Sequence, residues 1–180
     1  ERELKDLRME HARVRIAVEQ ETGADGPQLT STGSDRVEFL FSSNLGEAPQ
    51  PLARIASGGE LSRVMLAMKT VLAEQDRVPV LVFDEVDAGI GGAVSEVVGK
   101  RLRELSRHGH QVFCITHLAP IAAQAQRHFA VTKVAKGGRT VTQVEQLDKA
   151  GRVEEVARML GGETITPNIR STAAEMLKQK

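Results

Sequence analysis

A strand–helix–strand pattern constrains the fold of this chain more than any other feature. Apolar segments at residues 80–84 and 111–116 flank an amphipathic helical pattern over residues 92–107. Predominantly apolar segments of this length are typical of strands buried on both faces of a sheet. A connection that contains a helix joins parallel strands, and such crossovers are right-handed. The pattern therefore predicts an α/β fold with a mostly parallel sheet flanked by helices.

Polar residues follow both predicted strands. Asp84 and Glu85 lie at the carboxyl end of the first strand, and His117 lies at the end of the second. Ligands bind at the carboxyl ends of parallel strands, so we expect these side chains to face one crevice. Asp84 is a candidate Mg²⁺ ligand, Glu85 a candidate general base for water, and His117 a candidate hydrogen-bonding group for a terminal phosphate. The alternative interpretation is that Asp84 and Glu85 are solvated acids at a strand end and that His117 has a surface or capping role.

A glycine turn precedes a predicted helix over residues 60–76. Ser57 and Glu60 have the spacing of a capping box, which by itself explains these two residues. It does not explain Gly58 and Gly59, because glycine in a first helical turn costs about 1 kcal/mol relative to alanine. Glycines there let an anion approach the N–H groups at the positive end of the helix dipole. The turn is therefore a candidate phosphate-binding site.

Several other polar residues lie near these motifs or between them. Residues 87–91 form a turn with one acid and two glycines, which is able to pass close to the backbone of a neighbour. Arg54 and Arg63 flank the glycine turn, where they are suited to bind phosphate, although simple surface charge is the favoured explanation. The remaining histidines within this region and after it have no metal-ligand spacing and are predicted to lie on the surface: His108, His110 and His128.

The composition excludes some classes of function. Lys plus Arg and Asp plus Glu are equal at 24 each, so no net charge draws the chain to nucleic acid or to an anionic membrane. Aromatic residues make up 3%, without Trp or Tyr, which disfavours a base-stacking platform. The single cysteine, Cys114, lies in a predicted strand and indicates a reduced compartment. No zinc-ligand spacing is present. Because no apolar run reaches membrane-spanning length and no signal peptide is visible, a cytoplasmic protein is expected.

The rest of the chain adds hairpins and further helices. Strand alternation over residues 14–18 and 37–41 predicts a hairpin with a long loop. A second hairpin is predicted over residues 129–134 and 140–147, followed by helices over residues 153–160 and 168–178. The 3-4-3 spacing of Leu4, Leu7, His11 and Val14 fits the end of a coiled-coil helix or an ordinary amphipathic helix.

A G-x-x-x-x-G-K-[ST] phosphate loop does not occur in these 180 residues. The nearest match, Gly99-Lys100, is followed by Arg101, and Val94 stands where the first glycine is required. The chain also begins without Met, so we expect it to be a fragment. The three motifs therefore predict about half of an ATP site.

In this order and spacing, the motifs resemble the C-terminal lobe of an ATP-binding-cassette ATPase head. Longer segments, residues 52–63, 83–92, 116–120 and 153–162, resemble a bacterial DNA repair branch of the structural-maintenance-of-chromosomes (SMC) family. The resemblance runs from about residue 12 to the end. It implies that residues 12–180 form the C-terminal lobe of an ATPase head, and that residues 1–11 are the stub of a returning coiled-coil helix.

The resemblance also implies roles for the site residues. Residues 57–60 correspond to the signature motif, and Ser57, Gly58 and Gly59 would reach the γ-phosphate held by an opposite head. Asp84, as Mg²⁺ ligand, and Glu85 and His117, as catalytic groups, would serve the ATP of their own head. The remaining nucleotide-contacting residues implied in this way are Glu60 of the signature motif and Asp87 of the D-loop.

The same resemblance implies partners and a cellular role. An N-terminal lobe would bring the phosphate loop, and a second head would complete a homodimer around ATP and Mg²⁺. DNA would be bound through the complete protein, with no membrane partner, and ATP hydrolysis would support recombinational repair of double-strand breaks in the cytoplasm, at the nucleoid. The isolated chain is expected to be inactive. The alternatives are a non-catalytic docking lobe, a different SMC branch, or a transporter nucleotide-binding domain, which the coiled-coil entry and Glu60 disfavour.

Overall fold

The computed structural model describes residues 1–23, 26–55, 57–162 and 164–178. The elements of the first half are α1 (Arg2–Asp6), β1 (Arg13–Gln20), β2 (Thr22–Gly23), β3 (Gly26–Pro27), β4 (Asp35–Ser42), β5 (Gln50–Pro51), a 3-10 turn (Leu52–Arg54) and α2 (Gly58–Val71). The elements of the second half are β6 (Val80–Phe83), α3 (Ala93–Arg107), β7 (Gln111–Cys114), α4 (Ala119–Gln124), β8 (Phe129–Lys136), β9 (Arg139–Gln146), α5 (Lys149–Gly161) and α6 (Pro167–Lys178).

The first predicted hairpin is confirmed. β1 and β4 pair antiparallel, and Val14 lies opposite Phe41 at the end of the hairpin that is nearer the core. Apolar residues recur at every second position, at 14, 16 and 18 in β1 and at 37, 39 and 41 in β4, which is the pattern of strands with one apolar face. β5 adds a short third strand beside β4. The connection between the long strands contains the two-residue strands β2 and β3, which the sequence pattern did not predict.

The predicted parallel pair is also confirmed. β6 and β7 run parallel, with Leu81 opposite Val112 and Phe83 opposite Cys114, and α3 forms the crossover between them. The α/β class is therefore correct. Within the described residues, however, this is the one parallel pairing, and the other paired strands are antiparallel. Parallel pairing therefore does not predominate among the described strands, in contrast to the predicted mostly parallel sheet.

The expectation that the β6–β7 strands are buried on both faces is wrong. Leu81 and Phe83 are buried, whereas Val82 is 65% exposed, and Phe113 of β7 and Ile115 just after β7 are also exposed. The side chains of a strand alternate between its two faces. The core covers the face of Leu81 and Phe83, and no described element covers the other. An apolar surface therefore remains open on one side of the parallel pair.

One main core joins the N-terminal segment to the parallel strands. It contains buried residues from α1, β4, α2, β6, α3 and α4, and the largest fully buried side chains in it are Leu7, Leu66, Leu105, Val64, Val86 and Val98. The helix at the N-terminus ends at Asp6, and Leu4 packs in this core. Arg101 of α3 forms ion pairs with Glu3 and Asp6, at 2.9 and 3.2 Å. The proposed boundary at residue 11 remains a prediction.

A second cluster holds the C-terminal helices together. Ala119 of α4, Val156 and Ala157 of α5 and Ala173 of α6 are its buried residues. α5 begins earlier than predicted because Asp148 caps it by accepting a hydrogen bond from the Gly151 N–H at 2.7 Å. It ends at Gly162, whose φ of 65° belongs to the left-handed region that favours glycine. The second hairpin, β8–β9, forms as predicted.

None of the described helices has both the length and the apolar character needed to cross a bilayer.

Candidate functional site

The glycine turn begins α2 as the capping pattern predicts. Ser57 is the N-cap residue, and its hydroxyl accepts a hydrogen bond from the Glu60 N–H at 3.4 Å. The helix starts at Gly58, so both glycines lie in its first turn, and it ends at Val71, earlier than predicted. Ser57 and Gly58 are exposed. The N-terminus of a helix of this length carries partial positive charge and suits an anion.

The two glycines also pack α2 against the turn that follows β6. A β-carbon on Gly59 would lie 2.7 Å from Cβ of Ala88 and 3.1 Å from the Glu85 carbonyl oxygen, which is too close. A β-carbon on Gly58 would collide with the Glu85 carboxylate. This close packing explains the glycine at position 59 independently of any phosphate, whereas a β-carbon at position 58 would meet only the end of the flexible Glu85 side chain.

The acidic pair lies where the sequence predicted, just beyond the last residue of β6. Asp84 and Glu85 are both exposed, and one Asp84 carboxylate oxygen accepts the Glu85 N–H at 2.9 Å. Glu85 has a φ of 57°, which is uncommon for a residue other than glycine. The Ser62 hydroxyl of α2 donates to the Asp84 carbonyl at 2.5 Å. The conformation of the acidic pair is therefore held in part by α2.

Asp87 points into the protein and organises the residues after β7. Its side chain is buried, and its Oδ2 accepts hydrogen bonds from the Thr116 hydroxyl at 2.6 Å and from the His117 N–H at 3.0 Å. The same oxygen lies 3.0 Å from Nδ1 of the His117 imidazole. The Thr116 hydroxyl in turn accepts the Leu118 N–H at 3.0 Å. Asp87 thus joins the turns after both parallel strands.

The contact with Asp87 determines which face of the His117 ring is available. Oδ2 of Asp87 lies 3.0 Å from Nδ1, and a carboxylate only accepts hydrogen bonds, so this contact favours the tautomer with the hydrogen on Nδ1. Nε2 is then an acceptor in the neutral ring and a donor in the imidazolium. The His117 side chain is 75% exposed, so Nε2 is accessible to a ligand. A fixed ring with one open nitrogen suits the positioning of a phosphate or a water molecule.

The structure corrects the prediction for one of the two arginines. Arg54 is exposed, whereas Arg63 is 8% exposed and does not belong to the surface. Nη1 of Arg63 donates to the Ala88 carbonyl at 2.7 Å. Burial lowers the pKa of the guanidinium, and the nearby charge of Glu60 opposes this. The side chain lies inward because it is on the face of α2 that packs against the turn after β6.

Cys114 is the last residue of β7 and is partly buried. Burial raises the pKa of this thiol to about 12, and the negative charges of Asp87 and Asp84 add to the effect. A thiol with such a pKa is neutral near pH 7 and a poor nucleophile.

The predicted surface position is wrong for His110. This residue is buried, and its Nδ1 lies 2.7 Å from the Val78 carbonyl oxygen, which ties the start of β7 to the connection before β6. His128 is half-buried, and burial lowers the pKa of its imidazole. His108 is exposed, as predicted.

The acidic residues of the site do not form a cation site by themselves. In the described ranges, no three His, Cys, Asp or Glu side chains converge as ligands for a metal ion. Asp84 is the residue best placed to take part in one, because its carboxylate is exposed beside the ends of both parallel strands. Mg²⁺ is commonly held by one or two carboxylates together with phosphate oxygens and water.

Two residues of the site, Ser62 and Thr116, were not assigned a role from the sequence, and Arg63 was expected on the surface. Ser62 and Arg63 hold the turn after β6, and Thr116 donates to Asp87. The sequence signal that could have indicated these roles was the position of the residues next to the motifs. Helical periodicity was a further signal for Arg63, because it lies on the side of α2 that faces the core, next to Val64.

The amino-acid sequence is similar to one part of a DNA repair protein. The relatives named "DNA repair protein RecN" include those from Treponema pallidum (53% identity over 146 residues, 81% of this chain and 25% of the relative) and Bacillus subtilis (43% over 188 residues, 99% and 32%). The chain is a relative of RecN. It spans about a quarter to a third of the length of the RecN sequences it matches. No protein-family model matches it.

The fold is similar to SMC head domains, which agrees with the resemblance of the sequence motifs to the SMC family. A Smc head domain from Pyrococcus yayanosii superimposes with a TM-score of 0.57 at 22% identity, over 86% of this chain and 27% of that one. A structure from work on ATP-driven dimerization and DNA-stimulated activation of SMC ATPases gives a TM-score of 0.51 at 19% identity, over 91% of this chain and 89% of that one. At these identities, the likeness shows the fold alone.

Proposed function

We propose that this chain is the C-terminal lobe of an ATPase head that acts in recombinational repair of DNA double-strand breaks. The observation that carries the proposal is the bond network of Asp87. It brings His117, at the end of β7, next to the acidic turn that follows β6. The RecN relatives and the SMC-like fold support the same conclusion. The place of action is the cytoplasm, at the nucleoid.

Each site residue has a role that fits its surroundings. Glu85 polarises the attacking water as general base, because its carboxylate is exposed at the carboxyl end of a parallel strand. His117 holds the terminal phosphate and the water through Nε2. Asp87 acts through His117, because its side chain is turned inward. Ser57 and Gly58, exposed at the start of α2, contact the nucleotide of a second head.

The exposed carboxylate of Asp84 fits a magnesium ion that is also bound by phosphate. Its position beside the β6 and β7 ends would allow it to hold the ion directly or through water. When bound, Mg²⁺ neutralises charge on the phosphates and orients them for attack. Glu60 lies in the first turn of α2 and belongs to the nucleotide site as part of the signature motif.

The open apolar face of β6 and β7 supports an N-terminal lobe as partner. Val82, Phe113 and Ile115 form an exposed patch, and isolated pairs of parallel strands are ordinarily covered on both faces. The chain contains no phosphate loop. A second lobe that covers this face and brings a phosphate loop next to Asp84 would satisfy both requirements. DNA is bound through the complete protein.

A docking lobe without chemistry of its own is the second candidate. The absence of a phosphate loop in this sequence favours it for the chain in isolation. The Asp84-Glu85 pair and the anchored His117 favour a catalytic role once the second lobe is present.

ATP hydrolysis by this chain, alone and mixed with the N-terminal lobe, tests the proposal. We expect turnover only in the mixture, and we expect Glu85→Gln to lower kcat by at least about a hundredfold, since general-base catalysis contributes on the order of 10²–10⁴. Glu74→Gln is the matched control, because Glu74 is an exposed acid outside the site. ATP-dependent dimers that persist with Glu85→Gln and are lost with Ser57→Arg would support the second-head contact.

Two results would contradict this assignment. Turnover by the assembled head that is unchanged by Glu85→Gln would exclude Glu85 as the base. A mixture that assembles and binds ATP but does not hydrolyse it, with or without DNA, would favour the docking lobe.

A further inference from the structure

We propose that Arg63 is a positioning residue, which ties the N-terminus of α2 to His117 through the turn of residues 84–88. The proposal rests on the function proposed above, because it assigns α2 to the nucleotide of a second head and His117 to that of its own. Arg63 touches neither nucleotide in this scheme. It would act by holding the two contact regions in a constant relation.

Two consecutive residues of α2 hold the two ends of this turn. The Ser62 hydroxyl donates to the Asp84 carbonyl at 2.5 Å, and Nη1 of Arg63 donates to the Ala88 carbonyl at 2.7 Å. Within the turn, the Ala88 N–H donates to the Glu85 carbonyl at 3.0 Å. Charge-assisted hydrogen bonds of buried groups are stronger than neutral ones. The turn is therefore fixed to α2 at both ends.

The residue before Ala88 carries the connection further. Asp87 places its carboxylate on the Thr116 hydroxyl, the His117 N–H and Nδ1 of His117, all within 3.0 Å. A shift of the Ala88 carbonyl moves the adjacent peptide unit and so displaces Asp87. Arg63 is thus linked to the His117 ring through the turn and one side chain, that of Asp87.

The packing leaves little room for α2 and the turn to move separately. Gly59 lies so close to the turn that a β-carbon there would be 2.7 Å from Cβ of Ala88. Glu85, in the same turn, has a φ of 57°. Such conformations persist where the surrounding structure holds them. We therefore expect a displacement of the start of α2 to move Glu85 and His117 as well.

A second buried arginine provides a matched control. Arg152 is 9% exposed, close to the 8% of Arg63, and donates to the Ala125 and Gln126 carbonyls at 2.6 and 3.2 Å. The Nε atoms of both arginines are buried without a hydrogen-bond partner among the described residues. Arg152 lies on α5 and holds the segment after α4, so its loss removes a similar buried cation without reaching Asp87.

The test combines spectra of the 180-residue chain with kinetics of the assembled head. In ¹⁵N-histidine spectra, we expect Arg63→Met to change the Nδ1 signal of His117 and Arg152→Met to leave it as in the wild type. In the assembled head, we expect Arg63→Met to lower kcat by about tenfold to a hundredfold, since small misplacements of catalytic groups have effects of this size. KM for ATP should change less than about twofold, and Arg63→Lys should restore part of kcat.

The outcomes separate this inference from the proposed function. If Arg63→Met and Arg152→Met lose similar stability to urea while the His117 signal and kcat stay at wild-type values, Arg63 is structural only and the inference is wrong. If the wild-type head does not hydrolyse ATP, the proposed function fails, and the spectra alone decide whether Arg63 positions His117. Should Arg63→Met not fold, Arg63→Gln replaces it, because its shorter side chain stays polar but falls short of the Ala88 carbonyl.

Discussion

The buried carboxylate of Asp87 lies 3.0 Å from Nδ1 of the exposed His117 imidazole. Asp87 belongs to the turn after β6, and His117 belongs to the turn after β7. The contact therefore links the two chain segments that carry the acidic pair and the histidine. It also leaves Nε2 of His117 as the nitrogen that faces outward.

Replacing Asp87 by asparagine tests this link. The amide is uncharged and can turn an N–H toward Nδ1, which disfavours the present tautomer. We expect a loss of about 1–3 kcal/mol in the free energy of unfolding, because buried donors lose a charged partner. We also expect a changed His117 signal in ¹⁵N spectra of the imidazoles. Urea unfolding measures the first effect.

Asp35→Asn is the control for this change. Asp35 is exposed at the start of β4, so its replacement should alter the free energy of unfolding by less than about 0.5 kcal/mol. Equal stabilities for both variants would show that the Asp87 bonds contribute nothing to folding.

Alanine at Gly58 and at Gly59 should have different effects, although the two residues are neighbours. At Gly59 the new β-carbon meets Cβ of Ala88 and the Glu85 carbonyl, which are parts of a packed turn. We expect Gly59→Ala to destabilise the chain by about 1–3 kcal/mol, the usual cost of overpacking. At Gly58 it meets only the Glu85 carboxylate, which is the end of a flexible side chain. We expect Gly58→Ala to change stability by less than about 1 kcal/mol.

Gly151→Ala in α5 serves as the helical control, since its β-carbon would lie 3.2 Å from the exposed Asp148 side chain. Thermal and urea unfolding of the three variants give the comparison. A Gly59→Ala variant as stable as Gly58→Ala would contradict the close packing of α2 on the turn. A lower kcat of the assembled head with Gly58→Ala, without lost stability, would indicate displacement of Glu85.

The role of the open face of β6 as a docking surface can be tested by replacing two valines of similar exposure. Val82 is 65% exposed on the parallel pair, and Val71 is 67% exposed at the end of α2. We expect Val82→Glu to leave the folding of this chain intact and to weaken binding of the N-terminal lobe at least about tenfold, because a charge would be buried in the contact. Val71→Glu should leave the affinity unchanged. Titration calorimetry measures both.

Similar affinities for the two variants would argue against the β6–β7 face as the docking surface. Loss of folding with Val82→Glu would show that the face is covered within this chain.

Stability should fall in alkaline solution through Cys114. Its thiol has a pKa of about 12 in the folded chain, against an ordinary value of 9.0. Below pH 9 both states carry the proton, so stability does not depend on this group. Between pH 9 and pH 12 the unfolded state binds fewer protons, and stability falls as pH rises, by up to about 1.4 kcal/mol per pH unit. Urea unfolding from pH 8 to pH 10 measures the slope.

Cys114→Ala should remove this part of the slope. A thiol reagent at pH 8 should also modify the native chain about a thousandfold more slowly than the unfolded chain, because the reactive thiolate is rare. Equal alkaline slopes in wild type and Cys114→Ala would contradict a buried, neutral thiol.

Much of the fold follows from local patterns in the sequence. Alternation predicts both hairpins, and the crossover of residues 92–107 predicts the parallel pair, because period and connection length are local properties. The capping role of Ser57 is predicted for the same reason. The exposure of Val82 was not predictable, since an apolar strand looks the same whether its second face is covered by this chain or by a partner.

The sequence by itself determined which groups stand at the strand ends, Asp84, Glu85 and His117, because strand ends follow from the apolar pattern. Only the tertiary structure decided where Asp87 and Arg63 point. Asp87 turns inward to the Thr116 hydroxyl and the His117 N–H, and Arg63 turns inward to the Ala88 carbonyl. The physical reason is that a buried charged group needs hydrogen-bond partners, and these partners come from segments up to 30 residues away in the chain. No local pattern specifies which distant donor or acceptor will meet it.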